Sequence, residues 1–307
     1  MERGADGEND PDEELTAVAV SLRGVDPGGS RTASVLRQTL DQLYDGVRTG
    51  RYRWDQLQKT EKTHCGTLVE INMQREFGFK DGKKLDFNIA GFEVDCKYSQ
   101  DDGRWMIPPE AHGEICMVLW ANDNESAWKM GVVRALPQLL SGGMNRDSKT
   151  TLNAAGREAV CWIFRHGRLA ENTLLHLPED TVDQIMGSNS GAERVRRLFL
   201  LVQQRPIRRE IVATVAQQVD YMKRVRDNGG ARGTLKPEGI IIPGHYSTHQ
   251  AIAAALNVPV PGKGEFVSVR VCPAQPGDAH VAEIDGSLWR VAADDDSVVP
   301  APMLPKR

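Results

Sequence analysis

Cysteine is scarce and scattered in this chain. Its five residues, Cys65, Cys96, Cys116, Cys161 and Cys272, are odd in number and contain no C-x-x-C pair. That excludes a disulfide framework and a cysteine-built zinc site, and it fits a reducing cytoplasm. No apolar run approaches the roughly 18 residues of a membrane span. The acidic N-terminus lacks the basic-then-apolar pattern of an export signal. No internal repeat of the kind that marks a solenoid is present. A soluble cytoplasmic protein with no membrane partner is the expectation.

What is present is a chain of 307 residues, long for one compact core and comfortable for two domains. Its net charge of −4 hides an asymmetry. Residues 1–30 carry eight acidic and two basic side chains, leaving the remainder net positive. From Ser190 to Ile240 there are eleven basic residues against five acidic. An acidic tail can therefore mask a basic face that attracts polyanions.

Residues 1–14 are polar and expected to be disordered. Val35, Leu36, Leu40, Leu43 and Tyr44 recur at helical spacing. Gly66–Phe77 predicts a second helix, with Leu68, Ile71 and Phe77 inward and Glu70 beside them. The period then becomes two. Leu85–Ile89 and Phe92–Tyr98 predict strands joined at Ala90-Gly91. EICMVLWA (114–121) predicts a fully buried strand, and Ala127–Ala135 another, before a helix opening at Leu136–Leu140. This mixed α/β domain is expected to span 15–165, with a linker at 166–191. Residues 192–307 are expected to form the second domain. There, 193–203 and 207–227 predict basic helices, with a break near Ala216–Gln218. A Gly-rich loop follows at 229–239, then a short helix at Thr248–Asn257 and strands from Glu265 onward. Helices with a trailing hairpin describe a winged-helix or helix-turn-helix type of module.

Side chains two apart on a strand share a face. Glu93, Asp95 and Lys97 therefore share the side opposite Phe92, Val94, Cys96 and Tyr98, and the turn brings Asp86 toward Asp95. Converging carboxylates repel unless a cation sits between them, and hard oxygen ligands suit Mg²⁺. A lysine on the same side can orient water or stabilise charge on a phosphoryl oxygen. Glu70 is a candidate third carboxylate. Glu93, further back, is expected to be a surface charge. Asp-x-Lys alone most often marks a solvated sheet face; Asp86 and Glu70 raise it above that.

These residues match the PD-(D/E)xK pattern, as Asp86-x8-Asp95-x-Lys97. The text around them, HCGTLVEIN (64–72), VDCK (94–97) and VAQQ-x-x-x-MKRVR (215–226), resembles the NaeI-like family of type II (type IIE) restriction endonucleases over about Thr32 to Pro300. Leu85 stands where the pattern's name has proline. The resemblance implies a restriction-endonuclease-like mixed sheet flanked by helices, followed by a domain like the catabolite activator protein's. It implies a catalytic set of Glu70, Asp86, Asp95 and Lys97, with Mg²⁺ held by the three carboxylates and the backbone carbonyl of Cys96. The reaction it implies is in-line hydrolysis of double-stranded DNA, leaving 5′-phosphate and 3′-hydroxyl ends at a GC-rich palindrome such as GCCGGC. A second, effector copy of the DNA, a homodimer and a prokaryotic cytoplasm are implied as well.

Gln217 and Gln218, followed by the basic residues Lys223, Arg224 and Arg226, are expected on a recognition helix. Arg232 and Lys236 are expected on the Gly-rich loop near the DNA backbone. His245 and His249, spaced i, i+4, lack a third metal ligand in the sequence around them. Two other classes compete. LYDGVR (43–48) nearly matches the adenylation motif of ligases, but Leu43 occupies the position of the nucleophilic lysine. A non-enzymatic DNA-binding regulator would explain the basic segment and leave residues 70, 86, 95 and 97 without a task.

Overall fold

The computed structural model describes residues 12–143 and 145–306. The chain divides into two compact units. One is the chain up to Leu43 with Gln58–Glu171, and the other is Tyr44–Leu57 with Asn172–Arg307. This partition departs from the sequence expectation in two places. Residues 44–57 leave the first unit, and the anticipated linker is divided: 166–171 stay with the first unit, and the rest is built into the second, where Leu174 and Ile185 are buried in its core. Of the expected disordered tail, 1–11 lie outside the described residues, whereas Asp12–Glu14 are fixed. Asp12 accepts the Leu15 N–H at 2.9 Å and so caps helix α1 (Glu13–Val25). Arg134 binds both Asp12 and Glu14 at 2.8 Å. Acidic residues in a first helical turn are favoured by the helix dipole, so what looked like a charged tail ends as a helix start.

Helix α2 (Ser30–Tyr44) buries the stripe expected of it, Val35, Leu36, Leu40, Leu43 and Tyr44. The same helix carries Arg37 into the interior, where it meets Asp41 at 2.9 Å and Asp123. The chain then turns at Asp45, whose φ of 47° is left-handed, and enters the second unit through α3 (Gly46–Thr49). A Cβ on Gly46 would stand 2.0 Å from the Thr214 hydroxyl. LYDGVR is thus a helix end and a close-packed turn, with Leu43 buried.

Back in the first unit, α4 (Lys59–Phe77) ends at Gly78 in a left-handed cap. Its inward stripe is Cys65, Val69 and Met73, at i, i+4, i+8. The stripe expected from the sequence is out of phase with this one, and Ile71 is exposed. The strands β1 (Lys80–Asp81), β2 (Phe87–Ile89), β3 (Phe92–Ser99), β4 (Ile115–Asn122), β5 (Ala127–Arg134) and β6 (Cys161–Arg168) form one six-stranded sheet in sequence order. Only β3 and β4 run parallel; the other neighbours are antiparallel. β2 and β3 are joined by the expected two-residue turn, with positive φ at both Ala90 and Gly91. Residues Ile115–Ala121 of β4 are all buried, as the continuous apolar run required. Helix α4 packs on β3, and α1 on β5 and β6. A single 3-10 turn replaces the helix expected near Leu136, and α5 (Ala154–Glu158) precedes β6. The result is a mixed α/β unit, as the sequence indicated, enlarged by α1 and β6.

The second unit contains α6 (Glu179–Met186), α7 (Gly191–Leu201), β7 (Pro206–Arg208), α8 (Arg209–Ala216) and α9 (Ala231–Leu235). After them come β8 (Ile240–Ile241), α10 (Ser247–Ala255), β9 (Glu265–Val267), β10 (Val269–Pro273), β11 (Ala282–Ile284) and β12 (Ser287–Val291). A four-stranded antiparallel sheet, β11-β12-β10-β8, and a β7-β9 pair flank the helices. The long helix expected over 207–227 does not form. Its first residues pair as β7, and Gln217, at φ 50°, ends α8. The expected Gly-rich loop is instead α9 followed by a 3-10 turn. No helix among the described residues is long and apolar enough to cross a membrane.

His249, buried on α10, uses both ring nitrogens within the protein. Gly244 N–H donates to Nδ1 at 3.1 Å, so Nε2 carries the hydrogen and donates to the Pro305 carbonyl at 2.9 Å. It therefore clasps the C-terminal segment and is not disposed to hold a metal. Burial, with Arg232 and His245 nearby, holds its pKa below 6.5 against the opposing pull of Pro305 and Asp227. A histidine depressed in the folded state contributes stability that is complete above its unfolded pKa and is lost as pH falls below it. Urea titrations of wild type and His249→Gln should therefore converge as pH is lowered from about 7.5 to about 5. A constant gap would contradict this.

Candidate active site

The β2–β3 register, Phe87 opposite Val94, places Asp86 just beyond the last ladder pair and beside Asp95. The Asp86 carboxylate takes over the role of a backbone acceptor, receiving the Cys96 N–H at 2.7 Å. Lys97 follows Asp95 by two residues on the same face of β3. Its Nζ stands 2.7 Å from Asp95 Oδ1, 3.1 Å from the Cys96 carbonyl and 3.6 Å from Asp86 Oδ2. One ammonium thus sits within reach of three oxygens from three successive elements of the motif.

Exposure separates the three side chains. Asp86 and Lys97 retain 23% and 20% of their side-chain surface, against 4% for Asp95. Asp95 therefore forms the floor and the other two the rim. Burial raises the Asp95 pKa against the pull of Lys97, and Asp86 adds to the rise. For Lys97, burial works against the charge, but Asp95 and Asp86 outweigh it and hold the ammonium protonated. Glu70, on α4, is partly buried. Its pKa is raised by burial and by the charge of Asp86, with Lys97 opposing. It is close enough to feel the charges of both Asp86 and Lys97. Among the described residues, no three His, Cys, Asp or Glu side chains converge closely enough to hold one metal ion.

Two further features escaped the sequence reading. Cys116, in parallel register with Asp95 on β4, places its thiol 4.0 Å from Asp95 Oδ2. Burial keeps it, Cys96 and Cys65 protonated, with Cys65 pushed up to about 12. The centre therefore offers hard oxygen donors and no thiolate, a set that suits Mg²⁺ or a similar cation. Glu93, set aside as a surface charge, accepts three consecutive backbone N–H groups, from Lys83, Lys84 and Leu85, at 2.8–3.0 Å. Those bonds hold its pKa down at about 2. The only sequence signal for this was Gly82, where a Cβ would fall 2.2 Å from the Leu85 carbonyl.

In the second unit, Gln217, Gln218, Lys223, Arg224 and Arg226 share one bent segment with a single 3-10 turn at Tyr221–Arg224, where a recognition helix was expected. Val225 anchors it in the core and Tyr221 packs beside that core. Gln218 accepts from Arg224 Nε at 2.6 Å, and Lys223 pairs with Asp220 at 3.0 Å. Lys223 and Arg226 remain exposed. Arg232 and Lys236 line a cavity with Asp227, and Arg232 donates to the Ile242 carbonyl at 2.9 Å. Other members of the basic block are paired within the protein. Arg194 donates to the carbonyls of Val215, Ser188 and Ala216, and Arg208 and Arg209 both meet Glu210.

Removing one partner of a buried ion pair strands the other charge. With EDTA present, Lys97→Met should lower unfolding free energy by about 2 kcal/mol, less than a fully buried pair because Lys97 keeps some solvent. Adding Asp95→Asn should recover part of that loss. Chemical denaturation of the two single variants and the double variant measures the coupling, and strict additivity would show that the pair is not coupled.

The family model described as "Restriction endonuclease NaeI" matches residues 16–300. The chain is also 52% identical, over 306 residues, to the type II restriction enzyme NaeI of Lentzea aerocolonigenes, covering 97% of this chain and 96% of that one. Such matches set aside both the regulator and the nucleotidyltransferase readings, the latter already weakened by a buried Leu43. With two carboxylates and a lysine drawn together where β2 meets the interior strand β3, the chain belongs to the NaeI restriction endonuclease family and is a site-specific deoxyribonuclease.

Proposed function

We propose that the chain hydrolyses both strands of DNA at a GC-rich palindrome, with GCCGGC as the first sequence to test, in a Mg²⁺-dependent reaction centred on Asp86, Asp95 and Lys97. The observation that carries this reading is the cradle of three oxygens around Lys97 Nζ. Oxygens that surround an ammonium are chemically suited to a divalent cation, which Asp86, Asp95 and the Cys96 carbonyl would hold, with Glu70 as a further carboxylate. A cation bound there supplies charge neutralisation and Lewis acidity toward water and phosphate. Asp95 is the buried anchor of this set. Asp86, on the rim, orients the attacking water. Lys97, held protonated by its neighbours, meets the charge that builds on the phosphoryl oxygen. Water adds to phosphorus and the bond to the 3′ oxygen breaks, leaving 5′-phosphate and 3′-hydroxyl ends.

A palindromic substrate implies a two-fold homodimer. In the second unit, exposed Lys223 and Arg226, with Arg224 beside them, support a role in binding a second, effector DNA copy. The winged-helix reading of that unit belongs to the same proposal, with the base-reading positions moved from a helix to a bent segment. Supercoiled plasmid carrying the site should be cut with Mg²⁺ and left intact with EDTA, and Asp95→Ala should lower the rate at least a hundredfold. Metal-dependent cutting that survives Asp95→Ala would sink the assignment. Lys223→Ala and Arg226→Ala should weaken DNA binding regardless of sequence, each lowering the salt slope by roughly one.

A further inference from the structure

Glu93 lies on β3 opposite Asn88, two residues before Asp95, yet its carboxylate points back to the loop between β1 and β2. There it gathers the N–H groups of Lys83, Lys84 and Leu85, at 2.8, 3.0 and 2.9 Å. Three successive N–H groups converging on one carboxylate make a backbone nest, an arrangement that fixes the loop's conformation. The next residue is Asp86. Its own carbonyl accepts the Gly82 N–H at 3.3 Å, closing the loop on itself. A Cβ at Gly82 would fall 2.8 Å from Glu93 Oε2 as well as against the Leu85 carbonyl, so the nest has room only for glycine.

We infer that Glu93 is a positioning residue for the cleavage reaction: by gripping the N–H groups of residues 83–85 it sets where Asp86 enters the site. Asp86 is then held from two directions by β3. Glu93 fixes the backbone before it, and the Cys96 N–H fixes its carboxylate at 2.7 Å. The same geometry accounts for Leu85 where the motif's name has proline. Proline has no N–H to give, and the Leu85 N–H is spent on Glu93. A rigid ring is replaced by a charge-assisted hydrogen bond, and the buried Leu85 side chain packs into the core beneath the sheet.

This inference rests on the reading of Asp86 as a catalytic carboxylate, and the experiment separates the two. Glu93→Gln keeps the size of the side chain but turns one acceptor into a donor facing N–H groups. Backbone amides 83–85 should then exchange faster with deuterium while those of Phe87–Ile89 keep their protection. The kcat for plasmid cleavage should fall at least tenfold, KM for DNA should stay within about twofold, and the half-saturating Mg²⁺ concentration should rise several-fold. Gly82→Ala, which disturbs the nest from the other side and leaves the Glu93 charge in place, should reproduce the pattern if Glu93→Gln folds poorly. Faster exchange at 83–85 with unchanged kcat overturns the inference, as does a kcat loss that in both variants tracks faster exchange across the whole first unit. If Asp86→Ala itself cuts normally, the site reading fails. If Asp86→Ala is inactive and Glu93→Gln is fully active, only the positioning role fails.

Discussion

Everything at the candidate centre depends on one ammonium surrounded by oxygens. Asp95 is nearly buried, and a buried carboxylate is costly unless it is paired and hydrogen-bonded. Lys97 meets that need at 2.7 Å and reaches the Cys96 carbonyl and Asp86 as well. The pair can lie this deep because β3 is an interior strand, with parallel β4 on one side and β2 on the other. It stays reachable because the β2 ladder stops at Phe87, leaving Asp86 at the opening.

Carboxylates do two different kinds of work within a few residues of each other. Asp95 and Asp86 are held against a cation, whereas Glu93 is saturated by backbone N–H groups and Asp12 by a helix N-terminus and Arg134. The basic residues of the second unit divide in the same way. Arg194 closes the end of α8 by binding the carbonyls of Val215 and Ala216, and Arg196 pairs with Glu238. Positive charge counted along the chain is therefore a poor measure of positive charge presented to a polyanion. Lys223 and Arg226, on one bent segment, and Arg209 on α8 are exposed members of the block.

Local patterns were legible where one physical rule acts alone. The Ala90-Gly91 turn, the buried run of β4 and the stripe of α2 each follow from periodicity and turn chemistry, and each formed within a residue or two of expectation. The phase of α4 was not legible because Leu68, Ile71 and Phe77 are apolar, yet the fully buried stripe is Cys65, Val69 and Met73. α1 was hidden by its acidic first turn. The helix expected over 207–227 failed because β7 draws off its first residues by pairing with β9, a partner nearly sixty residues later.

By itself the sequence determined which residues could make a cation-binding strand edge, since alternation puts Asp95 and Lys97 on one face and a two-residue turn returns Asp86 to it. The family's text around that motif was legible too. Only the tertiary structure decided that Cys116 underlies Asp95 and that Glu93 is bound rather than free. It also decided that residues 44–57 belong with the second unit. The reason is the same in each case. Periodicity and turns are set by neighbours within a few bonds, whereas the partner of a carboxylate is set by whichever strand, helix or loop the completed fold brings beside it.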